Sequence, residues 1–267
     1  MTMTAFPAAL AVGSGGIIGL VLGLVGGGGS ILAVPLLVYV VGVSSPHVAI
    51  GTAAIAVAFN AAFGLAAHAR RGTVKWPCAL VFSAAGIFGS ALGAAAGKSV
   101  DGQRLLALFG VVMIVVAISM LCGRSDNSNA NVRLSVASAP MLLPWLIGTG
   151  FAVGLLSGFF GIGGGFLIVP GLMLATGMPL ANAVGTSLVA VTAFGLTTAG
   201  SYAASGLVDW TLAALLLGGG ALGSVAGTRL NAMLAEDKKL LTRVFAAIVL
   251  LVGAVVLAKG MATIAGG

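Results

Sequence analysis

Apolar residues run along this chain in long stretches, and polar residues only punctuate them. The runs fall near residues 6–25, 30–43, 47–67, 77–97 and 104–122, and again near 142–160, 165–177, 181–203, 210–230 and 241–259. A helix needs about 20 residues to cross the hydrocarbon core of a bilayer. All but two of the runs approach that length. The exceptions, 30–43 and 165–177, hold second place in each set of five, and each begins directly after a run of glycines. The pattern predicts an all-α integral membrane protein of two repeats. Each repeat has four to five membrane helices and a glycine-rich break, either a re-entrant or a discontinuous helix pair.

The two sets are copies of one another. Residues 19–42, GLVLGLVGGGGSILAVPLLVYVVG, align with 154–177, GLLSGFFGIGGGFLIVPGLMLATG, so that Pro35 falls on Pro170 at an offset of 135. After a one-residue gap the offset becomes 134, and Gly51-Thr52 meets Gly185-Thr186 while GTVKW at 72–76 meets GLVDW at 206–210. The stretch GRSDNSNANVRLSVASAP at 123–140 is rich in Ser and Asn and reads as a linker. The predicted organisation is a first transmembrane repeat over 1–122, a polar linker over 123–140 and a second transmembrane repeat over 141–267, together one transport domain.

Composition agrees. Of the 267 residues, 60% are hydrophobic and 6% charged, and the mean hydropathy is +1.20. Soluble domains carry roughly a quarter charged residues, so the solvent here is lipid. The N-terminal stretch MTMTAFPAALAVGSGG has no basic n-region and reads as the first membrane segment. The net charge of +7 is scattered over short loops. That is the positive-inside bias of a membrane protein, not a nucleic-acid surface. The two cysteines and two histidines have no metal-ligand spacing, and the sequence predicts no catalytic residue, no metal and no cofactor.

Each half holds an odd number of crossings: five, or three if the first pair is a re-entrant hairpin. The second half is therefore expected to be inverted. Loop charges point the same way. Arg70, Arg71 and Lys75 place the loop after the third run in the cytoplasm, whereas the equivalent loop of the second half has Asp209 and no Lys or Arg, and is expected outside. Inverted repeats with interrupted helices are a common architecture of secondary transporters, with the site where the repeats meet.

The glycine runs supply the candidate chemistry. Non-helical backbone at membrane depth must be buried in protein or line a watery cavity. The breaks at Gly26, Gly27, Gly28, Gly29 and Ser30, and at Gly161, Gly163, Gly164 and Gly165, are expected to face each other. Each opens a short helix whose first backbone N–H groups and positive dipole end attract an anion without any basic side chain. Thr52 in one half, and Thr186 with Ser187 in the other, add hydroxyls, and Asn60 follows Thr52 at a spacing that keeps it on the same helical face. The glycines spaced by four (Gly15, Gly19, Gly23; Gly89, Gly93, Gly97; Gly150, Gly154, Gly158; Gly219, Gly223, Gly227) read instead as close helix packing.

All five acidic residues lie in loops or at segment ends, so no mid-membrane carboxylate serves a proton relay or a cationic substrate. A dinucleotide site would need an acid about 20 residues after the glycines, and GIGGG has none. An intramembrane enzyme using Ser157 would need a base, and the second half has no histidine. A non-transporting membrane scaffold is the other alternative.

The paired breaks, each followed by a Pro and then by Gly-Thr, resemble the TauE/SafE family. GFFGIGGGFLIVPGLMLATGMPLANAVGTSL carries the resemblance most clearly, and GLVGGGGSILAVPLLVYVVGVSSPHVAIGTAA is the looser copy. The resemblance implies a multi-pass permease of the inner (cytoplasmic) membrane for sulfite, sulfoacetate or a related sulfur-containing anion. Its implied partners are that small anion and the lipid bilayer, with no nucleic acid. A homodimer is compatible with it.

Overall fold

In lipid every backbone polar group must be paired within the protein, so an apolar chain of this kind folds as helices. The computed structural model describes residues 5–25, 27–122, 139–161, 165–233 and 238–265, and all the regular structure in them is helical. The first half contains α1 (Ala5–Val25), α2 (Ala33–Leu36), α3 (Pro46–Arg70), α4 (Trp76–Ser99) and α5 (Gly102–Cys122). A 3₁₀ segment, Gly27–Leu32, precedes α2, and a π-helical segment, Leu37–Val41, follows it. The second half contains α6 (Ala139–Phe160), α7 (Gly165–Thr176), α8 (Leu180–Ala204), α9 (Trp210–Met233) and α10 (Lys238–Ala265). Among the described residues, eight helices are long and apolar enough to cross a membrane, and the two short apolar elements occupy the expected second places. The linker expected at 123–140 falls outside the described residues except for its end, where α6 begins at Ala139.

Helix boundaries follow local chemistry. Ser45 caps α3, accepting from the backbone N–H of Val48, with Pro46 at the first position, where no N–H is needed. Asp101 caps α5 by accepting from the N–H groups of Gln103 and Arg104. Past the helix ends the chain turns through left-handed glycines at repeat-equivalent places: Gly42 with Gly177, and Gly72 with Gly206.

The most extensive helix pairs each join one half to the other: α1 with α9, α4 with α6, α5 with α10, and α3 with α8. Bare glycine surface is what allows the first two. Gly15, Gly19 and Gly23 of α1 lie against the backbone of Leu216, Gly220 and Ser224 of α9. Gly150, Gly154 and Gly158 of α6 lie against the backbone of Phe82, Gly86 and Ser90 of α4. In both pairs residue numbers rise together, so the helices run parallel. In the other two they run antiparallel: Gly110 of α5 meets Gly253 and Leu257 of α10 while Gly260 meets Ala107, and Gly64 of α3 meets Leu188 of α8 while Gly195 meets Ala58. Each of α3 and α5 thus runs opposite to its own repeat equivalent.

The outward faces are apolar. Phe88, Leu174 and Leu222 are largely exposed, as suits contact with lipid tails. Trp76 and Trp210 sit exposed at the starts of α4 and α9, where interface anchors belong. The buried polar side chains among the described residues are hydroxyls and a single amide, Asn60.

Candidate functional site

The two Gly-Thr pairs, one turn into α3 and α8, are where the halves lock together. The Thr52 hydroxyl oxygen accepts the backbone N–H of Asp209, the residue before α9, at 3.0 Å. The Thr186 hydroxyl oxygen accepts the backbone N–H of Lys75, the residue before α4, also at 3.0 Å. Both threonines are fully buried. Thr192 and Thr197 donate their hydroxyls to the carbonyl four residues back. Thr52 and Thr186 donate their hydroxyl protons to no described residue. The glycine before each threonine removes the side chain that would block the latch. A Cβ at Gly51 would strike the Leu207 carbonyl and Tyr202, and one at Gly185 would strike Thr73 and His68.

The breaks approach these latches from the other half. Gly161, with φ of +67°, ends α6 in a left-handed turn that a side chain would strain, and it packs against the Ile50 side chain, two residues from Thr52. Gly165 is buried at the start of α7. Gly27, Gly28, Gly29 and Ser30 lie in the 3₁₀ segment, where Gly29 rests on the backbone of Ile18 and Leu22 and Ser30 is buried. That segment packs on α1 and α7, so the elements that follow the two breaks touch one another. Gly26, Gly163 and Gly164 fall outside the described residues. Ser187 is buried and donates to the Val184 carbonyl at 2.8 Å.

Asn60 faces α9, as Thr52 does, and its amide lies against Gly220, which also backs onto Gly19 of α1. It is fully buried, and neither its Oδ1 nor its Nδ2 has a hydrogen-bond partner in the described structure. An unpaired buried amide costs about 1–3 kcal/mol, so Asn60 destabilises this three-helix junction unless something completes it. At the repeat-equivalent position Phe194 instead covers Gly86 and stacks near Phe82, with ring centroids 6.2 Å apart.

Sequence reasoning missed that the threonines serve as acceptors for loop N–H groups, because helix position does not reveal a partner 157 or 111 residues away. The repeat offset pairs Tyr202 with His68.

Long apolar helices with exposed apolar faces define an integral membrane protein, and its family and relatives mark it as a transporter. The chain belongs to the TauE/SafE family: the family model described as "Sulfite exporter TauE/SafE" matches residues 11–256. Among similar proteins, a "Probable membrane transporter protein" of Xylella fastidiosa (strain 9a5c) is 49% identical, covering 95% of this chain and 96% of that one. The "Probable membrane transporter protein YunE" of Bacillus subtilis (strain 168) is 28% identical over 92% of this chain and 97% of its own. A third, the "Probable membrane transporter protein MJ0441" of Methanocaldococcus jannaschii, is 29% identical over 65% of this chain and 64% of its own. No solved structure matches the chain.

Proposed function

We propose that this transporter carries a small sulfur-containing anion, of the class of sulfite or sulfoacetate, by alternating access between two inverted repeats. The observation that carries the reading is the reciprocal pair of latches. Thr52 and Thr186 each present a free hydroxyl proton beside bare glycine backbone, at equivalent positions of the two halves. Hydroxyl and backbone N–H donors in a dry interior favour an anion. In this reading the donors are the backbone of Gly26, Gly27, Gly28, Gly29, Gly161, Gly163, Gly164 and Gly165, the hydroxyls of Ser30, Thr52 and Thr186, and the Asn60 amide, whereas Ser187 gives its one proton to the Val184 carbonyl. The antiparallel course of α3 against α8 and of α5 against α10 supports inversion of the repeats. Arg70, Arg71 and Lys75 support a cytoplasmic placement of their loop in the inner membrane.

The test is flux in proteoliposomes across a panel of sulfite, sulfoacetate, sulfate and chloride. Saturable movement of one sulfur anion is expected. Absence of flux for every anion, from protein that remains folded, overturns the reading.

A further inference from the structure

The latch at Thr52 has a neighbour that the Thr186 latch lacks. Gly51 packs against the base of Tyr202, whose ring is fully buried and whose hydroxyl has no hydrogen-bond partner. The His47 ring stands beside it, centroids 6.3 Å apart, with Nδ1 also buried and unpaired. On α4, the Lys98 ammonium lies 5.8 Å from the centre of the Tyr202 ring. It donates to the Ser201 carbonyl at 3.1 Å and to the Ser205 hydroxyl at 3.0 Å. An ammonium has three donors, so one remains. Among the described residues no carboxylate pairs with Lys98. Three elements, the start of α3 and the ends of α4 and α8, therefore bring together a cation, a phenol and an imidazole nitrogen, each with unfilled hydrogen-bonding capacity.

The equivalent place at the other end is built differently. His68 takes the position of Tyr202, and its Nδ1 is 3.0 Å from the Thr73 hydroxyl, which donates to the His68 carbonyl at 3.1 Å. Asn182 donates to the Thr73 carbonyl at 3.0 Å. Ala232 stands where Lys98 would be. That end is satisfied and carries no cation at the corresponding position.

Unpaired buried polar groups beside an unneutralised cation are costly unless something else completes them. We propose that Lys98, Tyr202 and His47 form a second anion subsite at the Asp209-loop end of the molecule, one step along the path from the Thr52 latch. It takes a small oxyanion through the ammonium, the phenol O–H and an imidazole N–H. The proposal rests on the anion reading above.

The test uses the full-length protein in nanodiscs, with sulfite and sulfate titrated by calorimetry and thermal unfolding read in parallel. Tyr202→Phe removes only the hydroxyl, and Lys98→Gln removes the charge and shortens the reach while keeping an amide donor. Each is expected to weaken anion affinity about tenfold, the scale of one hydrogen bond to a charged group, whereas Lys98→Arg stays within about threefold of wild type because it keeps both charge and donors. Tyr202→Phe is expected to melt at or above the wild-type temperature, since an unpaired hydroxyl is lost. If wild type binds an anion and both Tyr202→Phe and Lys98→Gln bind it equally well, the subsite is overturned and the transport reading stands. If folded wild type binds neither anion, the anion reading falls and the subsite with it.

Discussion

The two Gly-Thr latches share a plan and differ in what surrounds it. At one, Thr52 holds the N–H of Asp209, whose carboxylate also accepts from the Leu212 N–H at 2.9 Å and so caps α9. At the other, Thr186 holds the N–H of Lys75, which makes no side-chain cap to α4. Gly51 faces backbone and a buried tyrosine, whereas Gly185 faces the side chains of Thr73 and His68. Duplication preserved the parts that need one geometry, the bare glycine and the hydroxyl that accepts a loop N–H. It let charge and side-chain size diverge around them. The two latches are thereby chemically distinct although their core geometry is the same.

The difference in neighbours is broken most severely at the glycines. Gly51→Ala drives a methyl onto the Leu207 carbonyl, which cannot move without shifting the loop. Its cost is expected near 3 kcal/mol, the upper end of overpacking. Gly185→Ala meets side-chain atoms that can turn aside, and its cost is expected near 1 kcal/mol. Thermal unfolding in one detergent compares the two directly, and equal losses would show that the two ends are equally rigid.

The latches themselves come next. Thr52→Val or Thr186→Val keeps the shape but leaves a buried loop N–H without an acceptor, at a cost of about 1–3 kcal/mol. Each is also expected to weaken anion binding about tenfold, while Thr→Ser restores both. Stability loss without any change in affinity would make the latches purely structural.

Loop charge has a smaller effect, of opposite sign at the two ends. Asp209→Asn keeps an oxygen for the Leu212 N–H but removes a negative charge from the start of α9, and should lose about 0.3–1 kcal/mol. Lys75→Gln removes a positive charge from the start of α4 and should gain about 0.3 kcal/mol or nothing. Chemical denaturation at low ionic strength reads both, and a loss at Lys75 would mean that the cation has a partner.

Asn60→Leu should instead raise stability, by about 1 kcal/mol, since an unpaired buried amide is exchanged for an apolar group of similar size. Flux in proteoliposomes then separates the roles. Unchanged transport in this variant would remove Asn60 from the anion path.

Much of this was legible from one dimension. Ten apolar runs, eight of spanning length, match the helices closely, because in lipid only internally bonded helices satisfy the backbone and length alone decides what spans. The small-residue spacing on α1, α4, α6 and α9 marks faces that pack on backbone, because only a missing side chain permits that approach. Repeat equivalence is likewise written in the offset of 135. Which helices pair was not legible. α1 chose α9, and α4 chose α6, because glycine faces complement any other glycine face, and only the whole bundle picks the partner. The first short run reads as one short helix near 30–43 and is built of 3₁₀, α and π pieces over Gly27–Val41, since packing rather than propensity sets its winding.

The chain by itself determined the lipid environment, the repeated sequence pattern, the segments long enough to span and the helix-packing glycines. Those follow from hydropathy, length and side-chain size, which are local. Only the tertiary structure decided that Thr52 answers to Asp209 and Thr186 to Lys75, that Asn60 stands unpaired over Gly220, and that Lys98, Tyr202 and His47 meet. A hydrogen bond or a charge contact acts over a few ångströms, and which residues come that close is set by the packing of helices far apart in the chain.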